Sequence, residues 1–239
     1  MPLSFACSTI FSYLCSLSDS PKCVKEKAFS DNVEISRRRS AGKPIYVDNN
    51  ILAYTITGNC LNDGGRLKYL DSVYNYLGGR IAKSIEEVAK VKAERVEIRE
   101  HFAIKVDGKP IAGNAQYPVL DRIFFYHGVL AVGAWDADRI NEFLRIPEKD
   151  LDELHKLPNI LGISDANLGV SDAKSRMVKH ILANITDGDY REIEGEKKKM
   201  ILDKADGLVK EAYGTKDRIL RSDKTNLNEN SRFCLLYPD

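Results

Sequence analysis

The clearest local pattern in the chain is KPIYVDNNILAY, residues 43–54. A short apolar run reaches an acid and two asparagines, and apolar residues then resume. Ile45, Tyr46 and Val47 are strand formers, whereas Asp and Asn commonly cap the start of a helix. The pattern therefore predicts a strand that ends at Asp48, followed by a helix. In an open α/β sheet, ligands bind at the carboxyl ends of the strands. Asp48 is thus a candidate functional residue as well as a candidate helix cap.

Composition places the chain among ordinary globular proteins. It has 239 residues, of which 43% are hydrophobic and 30% charged, enough for one substantial domain with an insertion or for two small ones. Lys plus Arg (36) nearly balance Asp plus Glu (35). No global positive field is available to recruit nucleic acid, so such a partner would need a local basic patch or a bound metal.

Cysteine and histidine usage favours reduced thiols over a zinc site. The five cysteines include no C-x-x-C pair, and the four histidines are scattered along the chain. Those spacings do not match the usual zinc-ligand patterns. No apolar run is long enough to span a bilayer, and the first residues lack the basic start of a signal peptide. These features predict a cytoplasmic protein that does not interact with membranes.

The predicted organisation has three parts. Residues 1–42 are expected to be an N-terminal extension outside the core fold, and whether all of it folds is left open. Residues 43–239 are expected to form one domain. Within that domain, residues 101–185 lack any recognisable catalytic spacing and are predicted to be a helical insertion.

Local signals place several elements along the chain. Helices are predicted through Leu52–Ile56 and over residues 65–77, the second ending at Gly78-Gly79, before a brief strand at Arg80–Ala82. Asp107-Gly108 predicts a hairpin turn, and the apolar run of residues 119–132 is expected to be helical. Further helix starts are predicted at three positions: Asp136, Pro147 and Ser171.

Three more acids have candidate positions near a sheet. Ser84 has N-cap character, and Glu87 three residues later either closes a capping box or directs its carboxylate towards Asp48; Glu86 competes with it for that place. Asp206 lies on a helix predicted over residues 190–213. Asp223 follows a strand predicted over residues 218–221, and a final strand is predicted over residues 233–237.

Acidic groups gathered at one place would need a cation, because like charges raise one another's pKa. Oxygen ligands without His or Cys suit Mg²⁺ or Mn²⁺, which can activate water for attack on a phosphodiester. The candidate ligands and catalytic residues are Asp48, Glu87, Asp206 and Asp223. Asn50 and Ser222 are candidate supporting residues that would orient a carboxylate or a metal-bound water.

The order of these pieces resembles the PIN-domain family of metal-dependent ribonucleases. The matching pieces are residues 45–52, 84–88, 206–212 and 219–224. The resemblance implies an α/β domain with a mostly parallel sheet flanked by helices. It also implies a Mg²⁺- or Mn²⁺-dependent endoribonuclease that hydrolyses RNA and leaves 5′-phosphates, with the four acids as its metal ligands.

Other interpretations stay open beside this one. A PIN-like domain without activity would serve as a scaffold or an RNA-binding subunit, and a different phosphohydrolase would act on small phosphate esters. A toxin role would imply an antitoxin as protein partner. The insertion would serve in substrate recognition, in formation of a homodimer, or as a cap that restricts access to the site.

Overall fold

The protein is described from a computed structural model. The structure describes residues 4–8, 12–15, 24–31, 33–37, 45–59, 70–92, 96–98, 103–119, 123–164, 167–187, 194–208 and 211. The chain divides into two compact units. The first unit comprises Met1–Ile10, Val47–Ala137 and Glu148–Tyr190, and the second comprises Phe11–Tyr46, Asp138–Pro147 and Arg191–Asp239. The predicted division at residue 43 stays a prediction.

Strands and helices alternate irregularly along the described residues. The strands are β1 (Ser4–Ser8), β2 (Ser12–Cys15), β3 (Glu34–Arg37), β4 (Ile51–Asn59), β5 (Val96–Ile98), β6 (Ile104–Val106), β7 (Lys109–Val119) and β8 (Ile123–Ala131). The helices are α1 (Glu26–Ser30), α2 (Leu70–Ala89), α3 (Ala137–Phe143), α4 (Glu148–Leu154), α5 (Ile160–Ile163), α6 (Val170–Thr186) and α7 (Gly195–Leu208).

The first unit is built on a six-stranded sheet in the order β1-β4-β8-β7-β6-β5. Every neighbouring pair in it is antiparallel. The prediction of a mostly parallel sheet flanked by helices is therefore wrong. The helical insertion predicted for residues 101–185 is wrong as well, because β6, β7 and β8 of this sheet lie within it. Strands β5 to β8 follow one another in sequence and pair in order, and antiparallel neighbours of this kind need no crossover helix between them.

The helix predicted at Leu52–Ile56 is wrong, because these residues lie in β4. Asp48 Oδ1 accepts a hydrogen bond from the Asn50 main-chain N–H at 2.8 Å, and a strand rather than a helix follows this turn. An aspartate makes the same kind of local bond in an Asx turn and at a helix N-cap, so the residue type does not distinguish the two. The predicted strand at Ile45–Val47 is reduced to a bridge at Ile45.

The helix predicted over residues 119–132 is also wrong, because most of the run forms β8. Along this strand Phe124, Tyr126 and Leu130 are buried at alternate positions, the period expected of a strand. The hairpin predicted at Asp107-Gly108 is confirmed. These two residues have φ angles of 51° and 77°, as the favoured two-residue hairpin turns with positive φ at both positions require.

Helix α2 contradicts three local predictions. The glycines expected to end a helix, the strand expected at Arg80–Ala82 and the expected cap at Ser84 all lie inside this one helix. Its buried apolar side chains recur at helical spacing: Val73, Leu77, Ile81, Ile85 and Val88. Burial of this stripe outweighs the low helix propensity of the two glycines. Tyr74 of α2 meets Tyr126 of β8 edge-on, with ring centroids 5.5 Å apart, and α6 packs against α2.

Three predicted helix starts agree with the structure to within one residue. Helices α3, α4 and α6 begin one residue after Asp136, one after Pro147 and one before Ser171. The last described helix, α7, covers the middle of the range predicted from residue 190. The two C-terminal strands that were predicted lie outside the described residues. No helix in the described part of the chain is long and apolar enough to cross a membrane.

The second unit contains a parallel pair, β2 and β3. The Tyr46 and Phe143 rings stack in it with centroids 6.0 Å apart. The Arg139 guanidinium lies over the Phe143 ring, 4.7 Å from its centroid. Helix α7 also belongs to this unit, and none of its described side chains is buried.

Candidate functional site

The central strands β4, β8 and β7 present two different faces. On one face, here called the first face, the side chains are almost fully buried: Leu52, Tyr54, Ile56, Ala112, Phe124, Tyr126 and Leu130. Tyr74 of α2 contacts this face. Because successive residues of a strand point to opposite sides, the residues between these positions form the opposite, second face.

The middle of the second face is much more open than the first. The register of the strands aligns two rows across it, Ala53–Val129–Gly113 and Thr55–His127–Ala115. Gly113 is exposed, Ala53, Thr55, Ala115 and His127 are half-buried, and Val129 is buried. Small residues therefore lie on both outer strands of these rows, and the larger side chains lie on the central strand β8.

Glycine at position 113 leaves space above the sheet. A Cβ atom added there would have no atom within 4 Å. Gly113 and Ala115 thus form a strip of small residues along β7, here called the groove, and Val129 and His127 lie beside it on β8. Phe125 continues that side, with its ring centroid 5.3 Å from the centroid of His127.

This groove combines apolar surface with one imidazole. A floor of small residues beside Val129 and Phe125 suits an unbranched hydrocarbon chain, because burial of each CH₂ contributes about 0.8 kcal/mol. Histidine can donate or accept a hydrogen bond and can carry charge near neutral pH. The second face can therefore accept a ligand with an apolar chain and a polar or anionic end.

Asp48 lies in the turn that leads into β4. Burial raises the pKa of its carboxyl group, the Asn50 N–H lowers it, and the neighbouring Asp136 raises it again, with a net increase. Asn50 connects this turn to the chain after β8: its side chain donates to the Ala134 carbonyl at 3.0 Å. The main-chain carbonyl of Asn50 accepts a hydrogen bond from the Gly133 N–H at 2.9 Å.

Glu87 lies on α2 and contacts α6. Its Oε2 atom is 2.8 Å from His180 Nδ1 and accepts from Asn184 Nδ2 at 2.9 Å. Burial raises the pKa of Glu87, but the hydrogen bonds from these two residues outweigh it, so the pKa is lowered overall. The structure thus gives Glu87 a role in joining two helices, and Ser84 donates to the Arg80 carbonyl instead of capping a helix.

The remaining predicted site residues do not belong to the first unit. Asp206 is exposed on α7, which belongs to the second unit, and Ser222 and Asp223 lie outside the described residues. In the described part of the chain, no group of three or more His, Cys, Asp or Glu side chains could hold a metal ion. The complete four-acid set and its Mg²⁺ or Mn²⁺ ion stay a prediction.

Comparison with known families shows which family the chain belongs to. Residues 19–181 match the model of the lipoyl protein ligase A/B catalytic domain, which is more than half of the chain. The chain belongs to this family. The match includes β4, β7 and β8, so the groove of the second face lies within the shared domain. No curated protein sequence matches this chain.

Solved structures share the fold of this lipoyl ligase family member at low sequence identity. An archaeal bipartite lipoate protein ligase from Thermoplasma acidophilum, which has its own E2 lipoyl domain, has a TM-score of 0.69 at 16% identity, over 95% of this chain and 86% of that one. A candidate lipoate protein ligase from the same organism, with bound lipoic acid, has a TM-score of 0.68 at 14% identity, over 91% and 84%. Lipoate-protein ligase A bound with ATP has a TM-score of 0.66 at 14% identity, over 88% and 82%.

Membership of this family overturns the functional predictions from sequence. The resemblance to PIN domains is wrong, and so are RNA as substrate, an antitoxin partner and hydrolytic endoribonuclease activity. The pieces that suggested a PIN domain were single acids at predicted element ends. Acids are common in helix caps and turns of any fold, so their order along the chain was a weak signal.

Sequence reasoning did not find the residues of the second face. Those in the two aligned rows are Ala53, Thr55, Gly113, Ala115, His127 and Val129. The signal that could have found them is the period-two pattern of residues 52–57 and 123–127, in which buried residues alternate with more exposed ones. A strand with one open face has this pattern.

Proposed function

We propose that this protein is a ligase that attaches lipoate, or a closely similar acyl group, to a protein at the expense of ATP. The observation that carries the proposal is the family match over residues 19–181. Of the three ligases described above, the first has its own E2 lipoyl domain, the second has bound lipoic acid, and the third is bound with ATP. These are the acceptor, the acid and the energy source that such a reaction would need.

The proposed reaction has a clear requirement for ATP. A carboxylate does not form an amide directly with an amine in water, because its oxygen is a poor leaving group. Attack of the carboxylate oxygen on a phosphorus atom of ATP forms a new O–P bond and breaks the bond from that phosphorus to the bridging oxygen, which releases pyrophosphate from the α-position or ADP from the γ-position. The carboxylate oxygen is then part of a phosphate leaving group. An acceptor amine then forms the C–N bond, and the phosphate group leaves with the C–O bonding electrons.

The groove on the second face is the proposed site for the acyl chain. Lipoate has an apolar chain and ring at one end and a carboxylate at the other, which matches the apolar floor and side of the groove and the imidazole beside it. Gly113 and Ala115 would let the chain lie close to the sheet, and Val129 and Phe125 would contact it laterally. His127 would contact the carboxylate end or the phosphate that activates it.

The direct test combines the purified protein with lipoic acid, ATP and a lipoyl domain, and measures modification of the domain by intact-mass spectrometry. We expect a mass increase equal to one lipoyl group, only when all three are present. Analysis of the nucleotide products distinguishes attack at the α-phosphorus, which yields AMP, from attack at the γ-phosphorus, which yields ADP. The proposal would be refuted if the domain were not modified and calorimetry also detected no binding of lipoic acid.

Three further properties stay predictions. They are a Mg²⁺ or Mn²⁺ requirement, a cytoplasmic location and a homodimer. Chelation with EDTA in the ligation assay tests the first, cell fractionation tests the second, and light scattering of the purified protein tests the third.

A further inference from the structure

One polar contact on the first face joins two strands that are not neighbours. The Tyr54 hydroxyl on β4 donates a hydrogen bond to Asn114 Oδ1 on β7. Strand β8 lies between them in the sheet, and its residue Gly128 stands opposite both Tyr54 and Asn114. The bond therefore passes over Gly128 and ties together three strands.

Glycine is what allows this contact. A Cβ atom added at Gly128 would lie 2.6 Å from Tyr54 Cζ, much closer than a normal van der Waals contact. Tyr54 is only 2% exposed, and burial raises the pKa of its hydroxyl well above the ordinary value. The phenol thus stays protonated and remains a hydrogen-bond donor throughout the physiological range.

The three residues of this tie lie directly behind the groove. Because residues alternate between faces along a strand, the chain neighbours of Tyr54, Gly128 and Asn114 all belong to the second face. These neighbours are Ala53, Thr55, His127, Val129, Gly113 and Ala115, which make up the two rows of the groove. The hydrogen bond therefore adds a side-chain link between β4 and β7 to their backbone pairing with β8, at the level of the proposed acyl site.

We propose that Tyr54 and Asn114 are positioning residues for the acyl substrate, acting from the buried side of the sheet. The tie holds the two outer strands at a constant distance on either side of β8, so that the groove floor and side keep the width that fits the chain. This inference rests on the proposed function, because it assigns the groove to that substrate. Neither residue touches the substrate itself.

The same face provides a matched control. Tyr126 occupies the adjacent row on β8 and is fully buried. Among the residues that the structure describes, its hydroxyl has no hydrogen-bond partner. Tyr54→Phe and Tyr126→Phe remove the same atom from two buried tyrosines with 6.5 Å between ring centroids, but only the first cuts the tie.

The experiment compares lipoic acid binding by calorimetry, urea denaturation, and amide hydrogen exchange of β7 in the ligand-free protein. For Tyr54→Phe we expect about a fivefold weaker affinity for lipoic acid, the value of one ordinary hydrogen bond, and a comparable rise in exchange around Gly113. Tyr126→Phe should change each by less than about twofold. The double variant Tyr54→Phe/Asn114→Leu should recover stability, because no buried partner is left unsatisfied, while lipoic acid binding stays weak.

The outcomes separate this inference from the proposed function. Recovery of affinity together with stability in the double variant, or equal weakening by Tyr126→Phe, would show a merely structural role and overturn the inference. Wild-type protein that binds no lipoic acid would refute the acyl site itself, and with it the assignment of substrate positioning. In that case, an unchanged rate of amide hydrogen exchange of β7 in Tyr54→Phe would also refute the tie. A faster rate would show that the tie stabilises the sheet without positioning a substrate.

Discussion

Substitution of Gly128 by alanine tests the packing that underlies the groove. The added methyl group would point into the first face, where Tyr54 and Asn114 meet across β8. Both neighbouring strands are held by backbone pairing, and Tyr54 is 2% exposed, so neither partner can move away freely. The methyl group must push the two side chains apart.

The expected cost follows from three contributions. Overpacking of a buried site typically costs about 1–3 kcal/mol, and loss of the Tyr54–Asn114 hydrogen bond costs about 1 kcal/mol. Replacement of glycine within a strand offsets roughly 0.5–1 kcal/mol, because alanine loses less conformational entropy on folding. We therefore expect a net loss of about 2 kcal/mol in the free energy of unfolding.

The assay is urea denaturation followed by fluorescence of Trp135, the single tryptophan of the chain. Gly113→Ala is the matched control, since it adds the same methyl group on the neighbouring strand, where no atom lies within 4 Å. The control should be neutral or slightly stabilising. A change of less than about 0.5 kcal/mol for Gly128→Ala would refute the close packing described here, because that is the size of an ordinary surface substitution.

Three further substitutions address the groove and two of the four predicted acids, Asp48 and Glu87. Gly113→Val should leave stability unchanged but weaken lipoic acid binding at least about tenfold by calorimetry, because its side chain occupies the groove floor; unchanged affinity would place the substrate elsewhere. Because the pKa of Asp48 is raised in the folded protein, the free energy of unfolding falls as pH rises through that pKa. Asp48→Asn should therefore stabilise the protein near pH 7 by up to about 1 kcal/mol. Below the ordinary pKa of aspartate this gain should vanish. Because the pKa of Glu87 is lowered in the folded protein, its contribution to the free energy of unfolding is lost as pH falls through that pKa. Glu87→Gln should therefore cost at most about 1 kcal/mol near pH 7 and nothing in strong acid. Urea denaturation at several pH values tests both acids, and a stability difference that does not change with pH would contradict the argument.

The open face of the sheet shows why the candidate site was missed from sequence. Ala53, Gly113 and His127 are distant in the chain and are common residues without chemical distinction by themselves. They become neighbours only through the pairing of β4 with β8 and of β8 with β7. By contrast, Asp48 and Glu87 were predicted to be site residues because they are acids at predicted element ends. The structure places Asp48 in a turn and Glu87 at a contact between two helices.

Sequence by itself determined the features that depend on local chemistry. Positive φ at Asp107-Gly108 produced the predicted hairpin, and the helix starts near Asp136, Pro147 and Ser171 followed from capping preferences. Only the tertiary structure decided whether residues 51–58 and 123–131 are helical or extended, because short apolar runs fit both periods and pairing across the sheet settles the choice. The same pairing also decided the antiparallel order of the sheet and the presence of a groove. A groove is a relation between strands, so no single stretch of the chain contains it.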